Sequence, residues 1–158
     1  MNPDAPYEKI VFAFKSHEIS YEEICHKKVA SAIEYQAELG TNLEQQAKAL
    51  LLRYKNEGDN GFYVIALQAQ KQANLEKLKD LLDVKTLKLA QKSQLMEVTG
   101  CNFGELPPLG SIFGLQLILD RDLLDQEKIY FNAGRLDKSF VVKPDDIVNL
   151  ENPILTKV

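Results

Sequence analysis

The chain has 158 residues, of which 45% are hydrophobic and 27% charged, values that suit one soluble globular domain spanning residues 1–158. A formal net charge of −4 argues against non-specific binding to DNA, and no apolar run is long enough to cross a bilayer. The opening MNPDAPYEK has neither the basic nor the apolar segment of a secretory leader, and Cys25 and Cys101 lack CxxC or histidine-rich company, so free thiols, a cytoplasmic location and no metal site are expected.

Residues 4–17 read as a helix with Pro6 in the first turn and Ile10, Val11 and Phe14 on one stripe. Residues 19–25, ISYEEIC, read as a strand with imperfect alternation. Ser31 and Glu34 have the spacing of a capping box, opening a helix that runs to Leu39 and stops at Gly40. Residues 43–54 have helical propensity, but they precede the turn NEGDNG and the strand FYVIALQ. A strand that follows a tight polar turn pairs with what precedes it, so residues 48–54 are expected as a strand. Asn74 caps a helix whose Leu75, Leu78, Leu81 and Leu82 predict a buried stripe. A strand over 86–90 and a helix from Ser93 to Gly100 follow. Further strands are expected at 115–119 and 128–132, the last joined through the turn 134–137 to a hairpin partner at 139–142, and Pro144 opens a final helix. Strands joined by hairpins and single helices imply a mixed α+β fold, read as a strongly curved, barrel-like mixed sheet with flanking helices.

Residues 99–114, TGCNFGELPPLGSIFG, gather Gly100, Gly104, Gly110 and Gly114 around Pro107 and Pro108. Glycine permits close backbone approach to a ligand and proline stiffens the chain. Such a loop can aim several N–H groups at one oxygen, although pattern alone favours a connector between a helix and a strand.

Taken in order, ISYEEICH, SAIEYQAELG, QAKALL, TG…GELPPLG, LQLILD, IYFNAGRLDKSFVV and DDIVNL resemble the YbaK/prolyl-tRNA-editing domain family, from about Ile10 to Leu150. The resemblance implies a hydrolase that clears a wrong, small amino acid from a mischarged tRNA, tRNA for proline among them, with water or a substrate hydroxyl as nucleophile and no cofactor. The chain is too short for a synthetase core, so a free-standing editor is expected, with mischarged aminoacyl-tRNA as partner, a synthetase as a second partner, and neither DNA nor membrane.

By that resemblance Lys48 is the catalytic ammonium, with Ala49 where the family commonly has threonine. Gly104 opens the GxxxP element that ends at Pro108, and the amides of Gly104 and Glu105 would hold the carbonyl or a ribose hydroxyl. The Glu105 carboxylate is a weaker candidate for a base acting on water, and otherwise a surface group. Asp137 is either a turn aspartate or a carboxylate for the substrate's α-ammonium. Gly134 would let the backbone approach the substrate, with Asn132 and Ser139 as polar contacts and His26 and Phe103 at the pocket. Cys101 has no visible partner base. The lysines at 71, 77, 79, 85, 88 and 92 form either a solvated face or a contact for tRNA phosphates. The competing reading is a binding module that kept the fold without the activity and recognises an aminoacyl group, tRNA or a synthetase.

Overall fold

A computed structural model describes residues 4–29 and 31–158. The elements run α1 (Ala5–Ser16), β1 (Glu22–Cys25), α2 (Ala32–Leu39), β2 (Ala47–Asn56), β3 (Asp59–Gln68), α3 (Leu75–Leu82), β4 (Thr86–Leu89), α4 (Lys92–Thr99), β5 (Gln116–Asp120), β6 (Ile129–Asn132), β7 (Lys138–Val142), α5 (Pro144–Glu151) and β8 (Ile154–Thr156). Local chemistry accounts for most boundaries. The Ser31 hydroxyl accepts from the Glu34 amide at 3.1 Å, and Gly40 closes α2 with φ +70°. Asn74 accepts from the Lys77 amide at the start of α3. Residues 19–21 do not join β1: Glu18 turns the chain at φ +55° and the Ile19 amide donates to the Phe14 carbonyl, so the strand begins at Glu22.

The strands form two sheets. The smaller has order β1-β7-β6 and is wholly antiparallel. The larger has order β4-β2-β3-β5-β8, with β2 antiparallel to β3 and β4, and β5 parallel to β3 and β8. This corrects the barrel-like expectation: neither sheet closes or curls strongly. Hairpin signals specify which neighbours pair but not whether sheet edges meet, and among the described residues one parallel bridge, Gln46↔Tyr130, links the two sheets.

The sheets face each other across the main core. Ile10 and Phe14 of α1 meet Phe131 and Phe140 of the small sheet and Leu51, Val64, Leu117 and Leu119 of the large one. Phe14 lies 5.6 Å from Phe140 and 6.5 Å from Phe131, centroid to centroid, in edge-on contacts. The other face of the large sheet packs Leu52, Ile65, Leu67 and Ile118 against Leu78 of α3. Burial on both faces explains the unbroken apolar runs of β3 and β5. Leu81 departs from the expected stripe and is exposed on α3. No helix among the described residues is long and apolar enough to cross a membrane.

At the end of β5 the Asp120 carboxylate is fully buried and held by Lys71 Nζ at 2.9 Å, which also reaches Asp122 at 2.5 Å. Asp120 accepts from the Asp122 amide too, so the charge braces the turn after β5. Lys71→Met should therefore lower the free energy of unfolding by about 2–4 kcal/mol, since a buried carboxylate loses its cation, and a urea titration against the parent chain measures this.

Candidate functional site

Pairing of β4 with β2 begins at Leu52↔Leu89, whereas β3 pairs along the whole of β2. Among the described residues β4 does not pair with β2 from Ala47 to Leu50, and β6 approaches this end through the Gln46↔Tyr130 bridge. A cleft of about 310 Å³ lies against this stretch, bounded by β2, α2, β6 and the glycine-proline loop. Lys48 and Ala49 line it with Tyr35 of α2, Tyr130 and Asn132 of β6, and Gly104 and Leu106 of the loop.

Lys48 is half-buried, and burial lowers its pKa from the ordinary 10.5. No carboxylate among the described residues pairs with it. A desolvated ammonium without a counter-ion attracts an anion or an oxygen on which negative charge develops. Gly104 adopts φ +85°, and a Cβ there would come within 3.3 Å of Leu136 Cδ2. Its carbonyl accepts from Asn132 Nδ2 at 2.8 Å, which ties the loop to β6. The structure thus brings Lys48, Gly104 and Asn132 to one cleft.

Glu105 does not join them. Its amide donates to the Asn102 carbonyl at 3.1 Å and its carboxylate accepts from the Asn102 amide at 2.7 Å, so the turn closes on itself. Its amide is thereby engaged within the turn, and Glu105 does not line the cleft. Pro108 is buried and does not line the cleft. Asp137 faces Arg135, which donates to both carboxylate oxygens at 2.8 and 3.0 Å and reaches Asp4 as well. Arg135 holds the Asp137 carboxyl below its ordinary range, and this residue does not line the cleft. Gly134, at φ +76°, makes its close approach to α1: an added Cβ would lie 2.9 Å from Pro6 Cβ and from the Tyr7 amide. Phe103 is exposed and lines a smaller hollow on the other side of Gly104.

His26 belongs to a chain of hydrogen bonds behind the cleft wall. Its Nδ1 lies 2.7 Å from the Lys27 carbonyl, which only accepts, so Nδ1 carries the proton in the neutral ring. Its Nε2 is then the acceptor for the Ser139 hydroxyl at 2.7 Å. The Tyr35 hydroxyl in turn donates to Ser139 Oγ at 2.7 Å. Ser139 is fully buried, and the tyrosine's pKa is raised by burial. Reading the sequence missed Tyr35 and Tyr130. The available signal was the polar tip of Tyr35 on a short amphipathic helix, which needs a partner once buried.

Cys101 is buried and its thiol is pushed up to about 11, which removes it as a nucleophile. The lysine run divides. Lys71 is held by Asp120 and Asp122, Lys79 by Glu76 and Lys85 by Glu57, and Lys77 donates to the Lys157 carbonyl. Only Lys88 and Lys92 of that run remain exposed without such a bond among the described residues.

Residues 26–150 match the family model described as the aminoacyl-tRNA editing domain. The chain is 31% identical over 150 residues to the Multifunctional Ser/Thr-tRNA deacylase ProXp-y of Escherichia coli strain K12, covering 94% of this chain and 90% of that protein. It is 28% identical over 78 residues to a proline--tRNA ligase of Lactobacillus delbrueckii subsp. bulgaricus, which covers 49% of this chain and 14% of the ligase. The solved structure of hypothetical protein APE2540 has the same fold, with a TM-score of 0.86 at 23% identity over 95% of this chain and 98% of that one.

Ser139→Ala leaves the Tyr35 hydroxyl and His26 Nε2 without their common partner. Unsatisfied buried groups should lower stability by about 1–3 kcal/mol, seen as a lower urea midpoint with an unchanged slope.

Proposed function

This chain belongs to the aminoacyl-tRNA editing domain family, whose members hydrolyse aminoacyl-tRNA esters, and on that premise we propose that it works free-standing, in trans, on tRNA carrying a wrong, small amino acid. The observation that carries the reading is the half-buried Lys48 ammonium, without a counter-ion among the described residues, in a cleft shared with Gly104. Tetrahedral attack on an ester places negative charge on the carbonyl oxygen, and a positioned ammonium in a partly desolvated site stabilises that charge more than water does. The Gly104 amide has no acceptor among the described residues and is the second donor in this proposal. Asn132 positions it by holding the Gly104 carbonyl.

In the proposed reaction a water oxygen, or a hydroxyl of the substrate, attacks the ester carbon. The bond to the ribose oxygen breaks, and that oxygen leaves as a hydroxyl after taking a proton. Cys101 is buried with its thiol pushed up, Ser139 is hydrogen-bonded to His26, and neither lines the cleft, while the Ser31 hydroxyl that does line it caps α2. Ala49 offers a methyl where the family commonly has a hydroxyl, so side-chain preference rests on shape at that wall. The serine and threonine named for the Escherichia coli relative, and the match within a proline--tRNA ligase, support small amino acids on tRNA for proline as first substrates, with that synthetase as a working partner.

A deacylation assay over a panel of mischarged tRNAs tests this. Lys48→Ala should lower the rate by about a hundred- to a thousandfold, the usual cost of one lost electrostatic contact to a developing oxyanion. Retained activity in that variant would overturn the assignment of Lys48, and no turnover on any tRNA would overturn the reaction. The sign of the pH effect follows from burial. Because the ammonium is the active form and its pKa is lowered, the enzymatic rate above the hydroxide background should fall at a pH below the ordinary lysine value of 10.5. Lys48→Arg, which keeps its charge, should lack that alkaline fall.

A further inference from the structure

Gly104 separates the cleft from a second, smaller hollow of about 120 Å³. Ala49, Leu50, Gly104 and Leu106 line both, so the two spaces adjoin at the loop. The outer wall of the second hollow is Phe103, 59% exposed, and Leu89, 54% exposed. Its floor includes the buried Ala90 and Leu95. Two large apolar side chains held open at the edge of a site form a face that a flat apolar ligand would cover. Lys92 lies one helical turn before Leu95 on α4, hence on the same side of that helix. It is exposed and makes no salt bridge among the described residues.

An exposed apolar face that adjoins a pocket for an acyl ester, with a lysine on the helix that supplies its floor, has the chemistry of a single-stranded nucleotide site. The ring stacks on the aromatic residue and a phosphate lies near the ammonium. The exposed aromatic patch around Phe12 of α1 shares no lining residue with the cleft. We propose that Phe103 and Leu89 form the subsite for the adenine base at the 3′ end of the tRNA, with Lys92 attending the phosphate that precedes it. This rests on the aminoacyl-ester reading above. It adds a division of labour: the cleft takes the acyl group and the hollow across Gly104 takes the base attached to it.

The chain contains no tryptophan, so Phe103→Trp installs a single indole at the proposed stack. Titration with the RNA trinucleotide CCA should quench its fluorescence to saturation, and CC ending in an abasic ribose should quench weakly or not at all. Absence of quenching by CCA, or equal quenching by the abasic form, would overturn the subsite. In turnover, Phe103→Ala should raise KM for mischarged tRNA by about five- to a hundredfold with kcat close to the parent value, and Phe103→Tyr should restore KM. An unchanged KM in the alanine variant would also overturn it. The fluorescence experiment needs no turnover, so failure of the subsite and failure of the deacylase reading can be told apart.

Discussion

The constraint on which the site depends is the short reach of β4 along β2. Pairing stops at Leu52, and β4 runs on through Ala90, whose amide still reaches the Leu51 carbonyl at 2.9 Å. Beyond that point β2 has β3 on one side and the cleft on the other. A longer β4 would fill the space with a hydrogen-bonded ladder. The site is therefore an interrupted sheet edge. Such an edge would be open to pairing with another chain, and here α2, β6 and the glycine-proline loop enclose it. The enclosure also desolvates Lys48 while leaving it without a carboxylate partner among the described residues.

Several residues that look like ligand contacts serve the wall of the site. The Arg135 guanidinium joins Asp137 to Asp4 ahead of α1, and Gly134 allows the same turn to lie against Pro6 and Tyr7. Ser139 gathers Tyr35 from α2, His26 from the loop after β1 and, at 3.4 Å, Asn132 from β6. Asn132 passes the connection on to the Gly104 carbonyl. Ser139 accepts from Tyr35 and gives its single proton to His26 Nε2 rather than to the more distant Asn132 Oδ1, so the two close partners are satisfied in a space where no water need enter. The result is a rigid back wall whose polar groups point at one another and a front in which Lys48 has no such partner.

Charge is distributed in a similar way. The run of lysines after β3 has the composition of a nucleic-acid contact, but most of its members are engaged by neighbouring acids or a carbonyl. Lys71 in particular compensates the buried Asp120 and belongs to the fold. Within that run only Lys88 and Lys92 remain open to a polyanion among the described residues.

The sequence alone determined the local events. Ser31 and Asn74 cap their helices, Gly40 and Gly100 end theirs in the left-handed region, and the polar turn at 57–58 overrides the helical propensity of the residues before it so that Lys48 falls on a strand. These choices are settled by hydrogen bonds and side-chain periodicity acting over a few residues, which is why they are legible in the chain order. The order of motifs also placed Lys48 and Gly104 together through the family resemblance, without any view of the space between them. Only the tertiary structure decided that the strands divide into two sheets, that β8 joins the edge of the larger one, that Leu81 faces outward, and that Tyr35 meets Ser139 across 104 positions of sequence. It alone turned Asp137 toward Arg135 and Gly134 toward α1. Such outcomes depend on which distant surfaces come to share a core and how much room is left where they do not, and no local rule of spacing carries that information.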